Sequence, residues 1–256
     1  MTILTPTLAE LYSRNSKHSN YQVLARPLRA LLAQDQLAIS SRHEEARLAY
    51  LLARQPVRGL RLADIGGNTG FFTLECASQG AAEVLYFEGN AAHAEFVNAA
   101  AQELGLAQVV KTEARYLDFQ QDFAPAIDLC LLLNVLHHIG DDYGDPGLSR
   151  ERARQSVLET LNRLAGSCRH MAFQLGFNWK GDRTLPLFDS GTKAEMIAFI
   201  RDGTAGRWAI DHIGIATDGA ARIAYHDLND NNIARDDSLG EFLNRPFFLL
   251  RSLVLK

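Results

Sequence analysis

The stretch that decides the fold covers residues 61–72 and reads RLADIGGNTGFF. It begins as an apolar strand that ends near Asp64 and passes through Gly66, Gly67 and Gly70 into a segment typical of a helix. Glycine lets a ligand approach the bare backbone and permits left-handed backbone angles. Because ligands of open α/β sheets bind outside the carboxyl ends of the strands, this turn predicts a ligand site.

Strand-like and helix-like segments alternate on both sides of this turn. The predicted strands are Leu60–Ile65, Val84–Glu88, Val109–Glu113, Ile127–Asn134, His170–Phe177, Trp208–Thr217 and Phe247–Leu255. The predicted helices are Thr69–Ser78, Ala91–Leu104, Glu151–Leu164 and Thr192–Ile200. Such alternation is typical of an α/β protein whose parallel sheet carries helices on both faces. The polar stretch 226–237, HDLNDNNIARDD, is interpreted as a loop or insertion.

The first 56 residues differ from the remainder. Leu24, Leu28, Leu31 and Leu32 recur at helical spacing, and no strand pattern interrupts them before Pro56. We therefore expect a helical cap or lid over residues 1–56 and one Rossmann-like domain over residues 57–256.

Composition excludes several classes of protein. The 256 residues include 26 Lys and Arg against 30 Asp and Glu, so the chain lacks the basic character of a nucleic-acid-binding protein. The three cysteines form no CxxC pair, which argues against a disulfide framework or a thiolate zinc site. No secretory signal or membrane-length apolar run is evident. We expect a cytoplasmic monomer or homodimer that acts on a small molecule, without nucleic-acid or membrane partners.

The position of the acid identifies the ligand class. The turn reads D-x-G-x-N-x-G, with Asp64, Gly66, Asn68 and Gly70 in the named positions, whereas the dinucleotide fingerprint reads G-x-G-x-x-G. A carboxylate before the first glycine repels a pyrophosphate but attracts an ammonium group, directly or through water. The pattern therefore favours S-adenosylmethionine, which carries an α-amino group, over NAD.

Two further strand ends complete the predicted nucleoside site. The second strand ends in YFEGN (86–90), so that Glu88, followed by Gly89, can accept hydrogen bonds from both ribose hydroxyls. After the third strand, the backbone N–H groups of Arg115 and Tyr116 are expected to reach the adenine.

The fourth strand supplies the candidate catalytic residues. It ends in LNVLHHI (133–139), which is expected to place Asn134, His137 and His138 at the ligand crevice. Asn134 and His137 are predicted to contact S-adenosylmethionine, and Asn134 and His138 to be catalytic, since the ordinary pKa of histidine, about 6.5, suits a general base. A metal would also need Asp141 and Asp142. Adjacency in sequence does not supply that geometry, so no metal site is expected.

Acceptor-binding residues are predicted in two places. Tyr12 and Tyr21 belong to a polar and aromatic cluster in the N-terminal section, which we interpret as a lid. Gln174 and Asn178 follow the fifth strand and are predicted to line the acceptor pocket.

These motifs resemble those of the class I S-adenosylmethionine-dependent methyltransferase superfamily, in its small-molecule branch. DIGGNTG resembles the first motif, YFEGN the acidic second motif and LNVLHHI the fourth, and the likeness covers about residues 58–180. The resemblance implies a doubly wound, seven-stranded sheet with an antiparallel last strand and S-adenosylmethionine across the first two strand tips. Two departures limit it: Asn68 replaces the usual middle glycine, and the D/N-P-P-Y/F motif of nucleic-acid amino methylation is absent.

The predicted function is therefore methyl transfer from S-adenosylmethionine to a small acceptor. A second reading keeps the same site but transfers or cyclises the aminocarboxypropyl group, as azetidine-carboxylate synthases do, with release of methylthioadenosine. A third is a non-catalytic S-adenosylmethionine-binding module. The sequence does not separate these readings, because all three use the same binding motifs.

Overall fold

The structure is a computed structural model that describes residues 6–14, 22–35, 37, 39–119, 126–219 and 222–255. Contacts divide the chain into two units, Met1–Leu48 with Pro56–Leu117 and Ala49–Gln55 with Asp118–Lys256. Within the described part of residues 1–56 there are three helices, α1 (Leu8–Tyr12), α2 (Arg26–Arg29) and α3 (Glu44–Leu52), and no strand. This agrees with the helical pattern of the sequence, while the boundary at Pro56 and the role of a cap stay predictions.

The first unit contains three parallel strands, β1 (Arg61–Ile65), β2 (Glu83–Phe87) and β3 (Val110–Glu113), in the order β3-β2-β1. They alternate with two helices, α4 (Phe71–Ser78) and α5 (Ala91–Glu103). Residues 71–77 of α4 are all buried, as the apolar sequence FFTLECA predicts. The carboxyl ends of β1 and β2 lie side by side, because Ile65 is in register with Phe87.

The second unit contains five strands in the order β4-β5-β8-β6-β7. They are β4 (Ile127–Leu133), β5 (Cys168–Gln174), β6 (Trp208–Gly219), β7 (Arg222–Asp227) and β8 (Phe247–Ser252). The helices are α6 (Arg150–Leu164), α7 (Lys193–Gly203) and the short α8 (Gly240–Leu243). β4 is parallel to β5, and β8 runs antiparallel to both of its neighbours. The apolar sequence of β4, IDLCLLL, buries most of its side chains, as expected for a strand covered on both faces.

The predicted Rossmann-like α/β fold with an antiparallel last strand is confirmed, but the predicted number of seven strands is wrong. The described residues contain eight, because β7 pairs with β6 along Gly214–Gly219. Its sequence, RIAYHD, is polar at both ends and merges with the following loop, which hid the strand. Backbone hydrogen bonds to β6 form that strand despite its weak pattern. Residues 228–236 form no helix or strand, in agreement with the predicted loop.

The longest described helix, α6, has 15 residues, and no helix in the described part of the chain combines the length and apolarity that crossing a bilayer requires.

Candidate functional site

The glycine-rich loop between β1 and α4 is built from alternating left-handed residues. Gly66, Asn68 and Gly70 have φ angles of 66°, 53° and 74°. Asparagine tolerates the left-handed region better than most residues, which explains why Asn68 can stand where the commonest motif has glycine. The loop is hydrogen-bonded to β2: the N–H groups of Gly66 and Gly67 donate to the Phe87 carbonyl at 2.8 and 3.3 Å.

Asp64 lies below this loop and is only 3% exposed. Its Oδ2 accepts a 2.6 Å hydrogen bond from the hydroxyl of Thr73, in the first turn of α4. Burial raises the pKa of Asp64 to about 6, against the lowering effect of Thr73 and with a further increase from the nearby charge of Glu88. The structure therefore holds a carboxylate beneath the loop where a ligand ammonium group would relieve its desolvation.

Glu88 connects the loop to the tip of β2. Its Oε2 accepts from the Asn68 N–H at 2.9 Å, and its Oε1 accepts from the Asn90 N–H at 2.8 Å. The hydroxyl of Tyr86, on the same strand, donates to the Asn68 carbonyl. Both oxygens of Glu88 are thus oriented by backbone groups, as a bidentate acceptor for a diol requires.

The Gly89 backbone lies against the ring of Tyr116. A Cβ at Gly89 would clash with that ring, although Tyr116 is 54% exposed. Arg115 lies with its guanidinium 5.1 Å from the centroid of the Phe87 ring, and its N–H donates to the Glu113 carbonyl at 2.9 Å. Of the two amides predicted to reach the adenine, the amide of Arg115 is therefore already engaged in the structure.

Asn134 directly follows β4 in the second unit and has a φ of 62°. Its N–H donates to the Gln174 carbonyl at 2.8 Å, and its Nδ2 donates to Gln174 Oε1 at 3.0 Å. Gln174, predicted to line an acceptor pocket, is 0% exposed, and its Nε2 donates to the Arg245 carbonyl at 3.0 Å. Gln174 thus fixes the orientation of Asn134.

Arg245 completes this network. Its Nη1 donates to Asn134 Oδ1 at 2.8 Å, while its Nη2 and Nε bind the two oxygens of Glu241 at 2.5 and 3.0 Å. Glu241 also accepts from the Phe177 N–H at 3.0 Å. Burial raises the pKa of Glu241, but the Arg245 charge and these hydrogen bonds outweigh burial, so the pKa lies below its usual value. Asn134 is therefore held by a charge-compensated pair.

The two adjacent histidines differ in their surroundings. His137 is 2% exposed, and its Nδ1 accepts from the Gly176 N–H at 3.2 Å, so its ring fixes the loop after β5. The predicted contact of His137 with the ligand stays a prediction. His138 is half-buried, with its Nδ1 3.4 Å from Asp142 Oδ2 and 3.9 Å from Asp141 Oδ2. A carboxylate close to one ring nitrogen favours one orientation of the imidazole ring.

Among the residues that the structure describes, the same three side chains form a group that could hold a cation. One ligand atom from each of His138, Asp141 and Asp142 lies within 4.8 Å of the others. Exposed carboxylates cluster in this way without a metal as well, and the expectation of no metal stays a prediction.

The remaining predicted acceptor residues fall into three cases. Tyr12 is 4% exposed; its ring meets the Phe96 ring edge-on at 5.3 Å, and its hydroxyl donates to the Gln22 carbonyl at 3.1 Å. Asn178 is half-buried, and its backbone forms an isolated bridge with Pro186. Tyr21 lies outside the described residues. Acceptor binding by these residues stays a prediction.

Sequence reasoning missed several residues that build these sites. They are Gln22, Thr73, Tyr86, Glu241 and Arg245. Tyr86 and Thr73 could have been found from the sequence, because Tyr86 is the first residue of YFEGN and Thr73 lies three residues after DIGGNTG. Gln22 and Arg245 had none, since they are far in sequence from the residues they contact.

Comparisons with known proteins agree with this geometry. Residues 63–163 match the methyltransferase domain family. Residues 63–163 therefore carry a methyltransferase domain. The resemblance seen in the motifs is thereby confirmed, although the matched region leaves the small-molecule branch untested. A comparison with curated proteins gave no match.

Solved structures show a similar fold. The bifunctional kinase-methyltransferase WbdD matches with a TM-score of 0.59 and 18% identity over 96% of this chain, and the chain covers 47% of WbdD. A putative RNA methyltransferase from Pyrococcus horikoshii matches with a TM-score of 0.50 and 11% identity, covering 81% of this chain and 80% of that one. A putative rRNA-methylase from Clostridium thermocellum has the same TM-score and identity and covers 86% and 100%.

The residues of the first unit fit the methyl donor that this domain implies, S-adenosylmethionine. Asp64 is a buried carboxylate beneath the loop, and Glu88 presents two oriented carboxylate oxygens beside it. Tyr86 packs so closely against Gly67 that a Cβ there would be 2.6 Å from the ring, so the backbone of the loop lies directly against β2. Acidic groups around bare backbone suit an amine and a ribose, and they do not suit a pyrophosphate.

Proposed function

We propose that this protein transfers the methyl group of S-adenosylmethionine to a small-molecule acceptor. The observation that carries the proposal is the joint arrangement of Asp64 and Glu88 around the 66–70 loop, with each carboxylate oriented by hydrogen bonds. When bound, S-adenosylmethionine supplies a methyl group on a sulfonium that is already reactive. The protein therefore mainly has to orient the two reactants, exclude water and accept the proton that the acceptor loses.

Each group has a defined task in this proposal. Glu88 accepts hydrogen bonds from the ribose hydroxyls, and Asp64 compensates the positive charge of the amino group. Asn134, held by Gln174 and Arg245, orients the reacting partners through its amide. His138 accepts the proton of the acceptor, and Asp142 orients its ring.

The net charge of −4 supports a small acceptor, because a polyanion requires a basic surface. The two putative RNA-modifying proteins with this fold are 11% identical, a level at which the likeness concerns the fold alone. Methylation of RNA is therefore included as one possible result of the experiment below.

The test is incubation of the protein with methyl-labelled S-adenosylmethionine in three arms: a metabolite extract, total RNA and no acceptor. We expect label in a small molecule, together with S-adenosylhomocysteine. Label found in RNA alone would overturn the small-molecule acceptor. Formation of methylthioadenosine in the arm without acceptor would show that the protein transfers or cyclises the aminocarboxypropyl group and does not transfer the methyl group. Binding without turnover in every arm would favour a non-catalytic module.

The role of His138 is tested by His138→Gln once an acceptor is known. We expect a fall in kcat of about 10²–10⁴-fold, as is typical for loss of a general base, while the Kd for S-adenosylhomocysteine stays unchanged. His226→Gln, at an exposed position of β7, is the matched control and keeps full activity. An unchanged kcat in His138→Gln would remove this residue from the mechanism.

A further inference from the structure

Gln22 contacts the glycine-rich loop from a distant part of the chain. Its Oε1 accepts from the hydroxyl of Thr69 at 3.3 Å and from the N–H of Phe71 at 3.2 Å, across 47 and 49 residues of sequence. A single amide oxygen therefore binds the last part of the loop and the first residue of α4.

This contact takes the place of a side-chain N-cap for α4, which the loop cannot provide. The N-cap residue of α4 is Gly70, which has no side chain to accept a hydrogen bond from the first turn. The first N–H groups of a helix have no partners within the helix and need external acceptors. Gln22 supplies one for Phe71, and Asp64 binds the hydroxyl of Thr73 two residues further along the same turn.

The backbone around Gln22 is itself fixed. The hydroxyl of Tyr12 donates to the Gln22 carbonyl at 3.1 Å, and the Tyr12 ring packs against Phe96 of α5. Four residues further on, the N–H of Arg26 donates to Glu75 Oε1 at 2.6 Å, and the Arg26 guanidinium binds the same carboxylate at 2.9 Å. Glu75 lies on α4 and is 2% exposed. Gln22 is therefore presented to the loop from a segment anchored on both sides.

We propose that Gln22 is a positioning residue of the S-adenosylmethionine site, which holds the Thr69–Phe71 turn in the conformation that binds the ligand. The proposal rests on the proposed function, because it assumes that the loop binds this ligand. The loop contains three left-handed residues, and its glycines can also adopt other backbone conformations at little cost. An external acceptor at its end selects one of them before the ligand arrives, and this preorganisation increases affinity.

The test compares matched variants of the full chain by calorimetric titration with S-adenosylhomocysteine. Gln22→Met keeps the length of the side chain but removes the acceptor oxygen, and we expect the Kd to rise about tenfold, the value of one net hydrogen bond. Gln22→Glu keeps an acceptor and is expected to stay within about threefold of the original Kd. Arg29→Ala removes hydrogen bonds to Leu24 and Glu45 in the same N-terminal section and serves as the control for stability alone.

A second readout does not depend on the ligand. The amide hydrogen of Phe71 is expected to exchange slowly in the unliganded protein and to exchange faster in Gln22→Met, at equal global stability. If Gln22→Met does not fold, Gln22→Asn, which is one methylene shorter and cannot reach both donors, takes its place with the same expected losses.

The outcomes separate this proposal from the proposed function. An unchanged Kd in Gln22→Met, or an equal rise in Arg29→Ala, would overturn the positioning role. Failure of the original protein to bind S-adenosylhomocysteine would overturn the ligand assignment instead. In that case the exchange rate of the Phe71 amide still decides whether Gln22 fixes the turn, and equal rates would refute it.

Discussion

Asp64 illustrates, at the scale of one residue, how a ligand site can reduce stability. Its folded-state pKa of about 6 exceeds the ordinary value of 3.8 because burial disfavours the charged form. The folded protein therefore holds this proton more tightly than the unfolded chain. It follows that the free energy of unfolding falls as the pH rises through the window between these two values, and the full loss applies above about pH 6.

Asp64→Asn is expected to raise the free energy of unfolding at pH 7.5 by up to about 3 kcal/mol, the equivalent of about two pKa units. Most of the gain should disappear towards pH 4, near the unfolded-state pKa of 3.8, because most of the pH range in which the folded and unfolded states bind different numbers of protons lies above it. The same variant should bind S-adenosylhomocysteine more weakly, since the charge that compensates its amine is lost. Urea denaturation at both pH values measures the first effect, and calorimetry measures the second.

Asp218→Asn, at an exposed position, is the control and should change neither quantity. A gain for Asp64→Asn that is equal at pH 4 and pH 7.5 would show that desolvation of the charge is not its cause.

Gly67 shows how closely the loop approaches β2. A Cβ there would be 2.6 Å from the ring of Tyr86, which is fully buried, and 2.9 Å from Asp64 Oδ2. Neither neighbour can move away freely, because the Tyr86 hydroxyl is bonded to the Asn68 carbonyl and Asp64 to Thr73. Shape complementarity, and not backbone angle, therefore requires glycine at this position.

Gly67→Ala is expected to lower the free energy of unfolding by about 1–3 kcal/mol, as overpacking of a tight core does. It should also weaken binding of S-adenosylhomocysteine. Gly166→Ala is the matched control: its Cβ would meet only the Arg163 carbonyl, at 3.4 Å, so we expect a change within about 0.5 kcal/mol. Equal effects of the two substitutions in thermal denaturation would contradict this account.

At the scale of secondary structure elements, Asn134 depends on a pair contributed by the segment between β7 and β8. Arg245 binds both Asn134 and Glu241. The side chains of the ion pair, Arg245 and Glu241, are 11% and 20% exposed. A pair buried to this degree is costly to break from one side, because the remaining charge is left without compensation.

Arg245→Met is therefore expected to lower the free energy of unfolding by about 3 kcal/mol, since Glu241 keeps its charge and loses its partner. The double variant Arg245→Met/Glu241→Gln should recover more than half of this loss. Arg251→Met is the control: Arg251 pairs with Asp211 at the surface, where such a pair contributes less than about 1 kcal/mol. If the double variant were as unstable as the single one, an isolated charge would not be the reason.

At the scale of the whole molecule, ligand binding should stabilise the native state by mass action. S-adenosylhomocysteine at 100 times its Kd is expected to add about 2.7 kcal/mol. For a chain of this size that corresponds to a rise in Tm of roughly 5–10 °C. Differential scanning calorimetry measures this shift, and NAD at the same concentration is the control. A rise with NAD and none with S-adenosylhomocysteine would reverse the assignment of the site.

The sequence by itself predicted most of the strands and helices and the class of ligand. Residues 61–72 predicted a strand, a ligand-binding turn and a helix, and the acid at position 64 favoured S-adenosylmethionine over NAD. These conclusions were possible because strand and helix patterns are local and because a motif places its chemistry within a few residues. The strand β7 was missed for the converse reason: its pattern is weak, and its pairing with β6 supplies the stability that its own residues lack.

Only the tertiary structure decided what holds the motifs in place. Gln22 reaches the turn before α4, Arg245 reaches Asn134, and Gln174 is revealed as a buried support for Asn134. No local pattern marks such residues, because a hydrogen bond between distant segments depends on how the chain packs and not on sequence spacing. The motifs thus specify which chemistry is available, whereas the packed chain decides which side chains orient it.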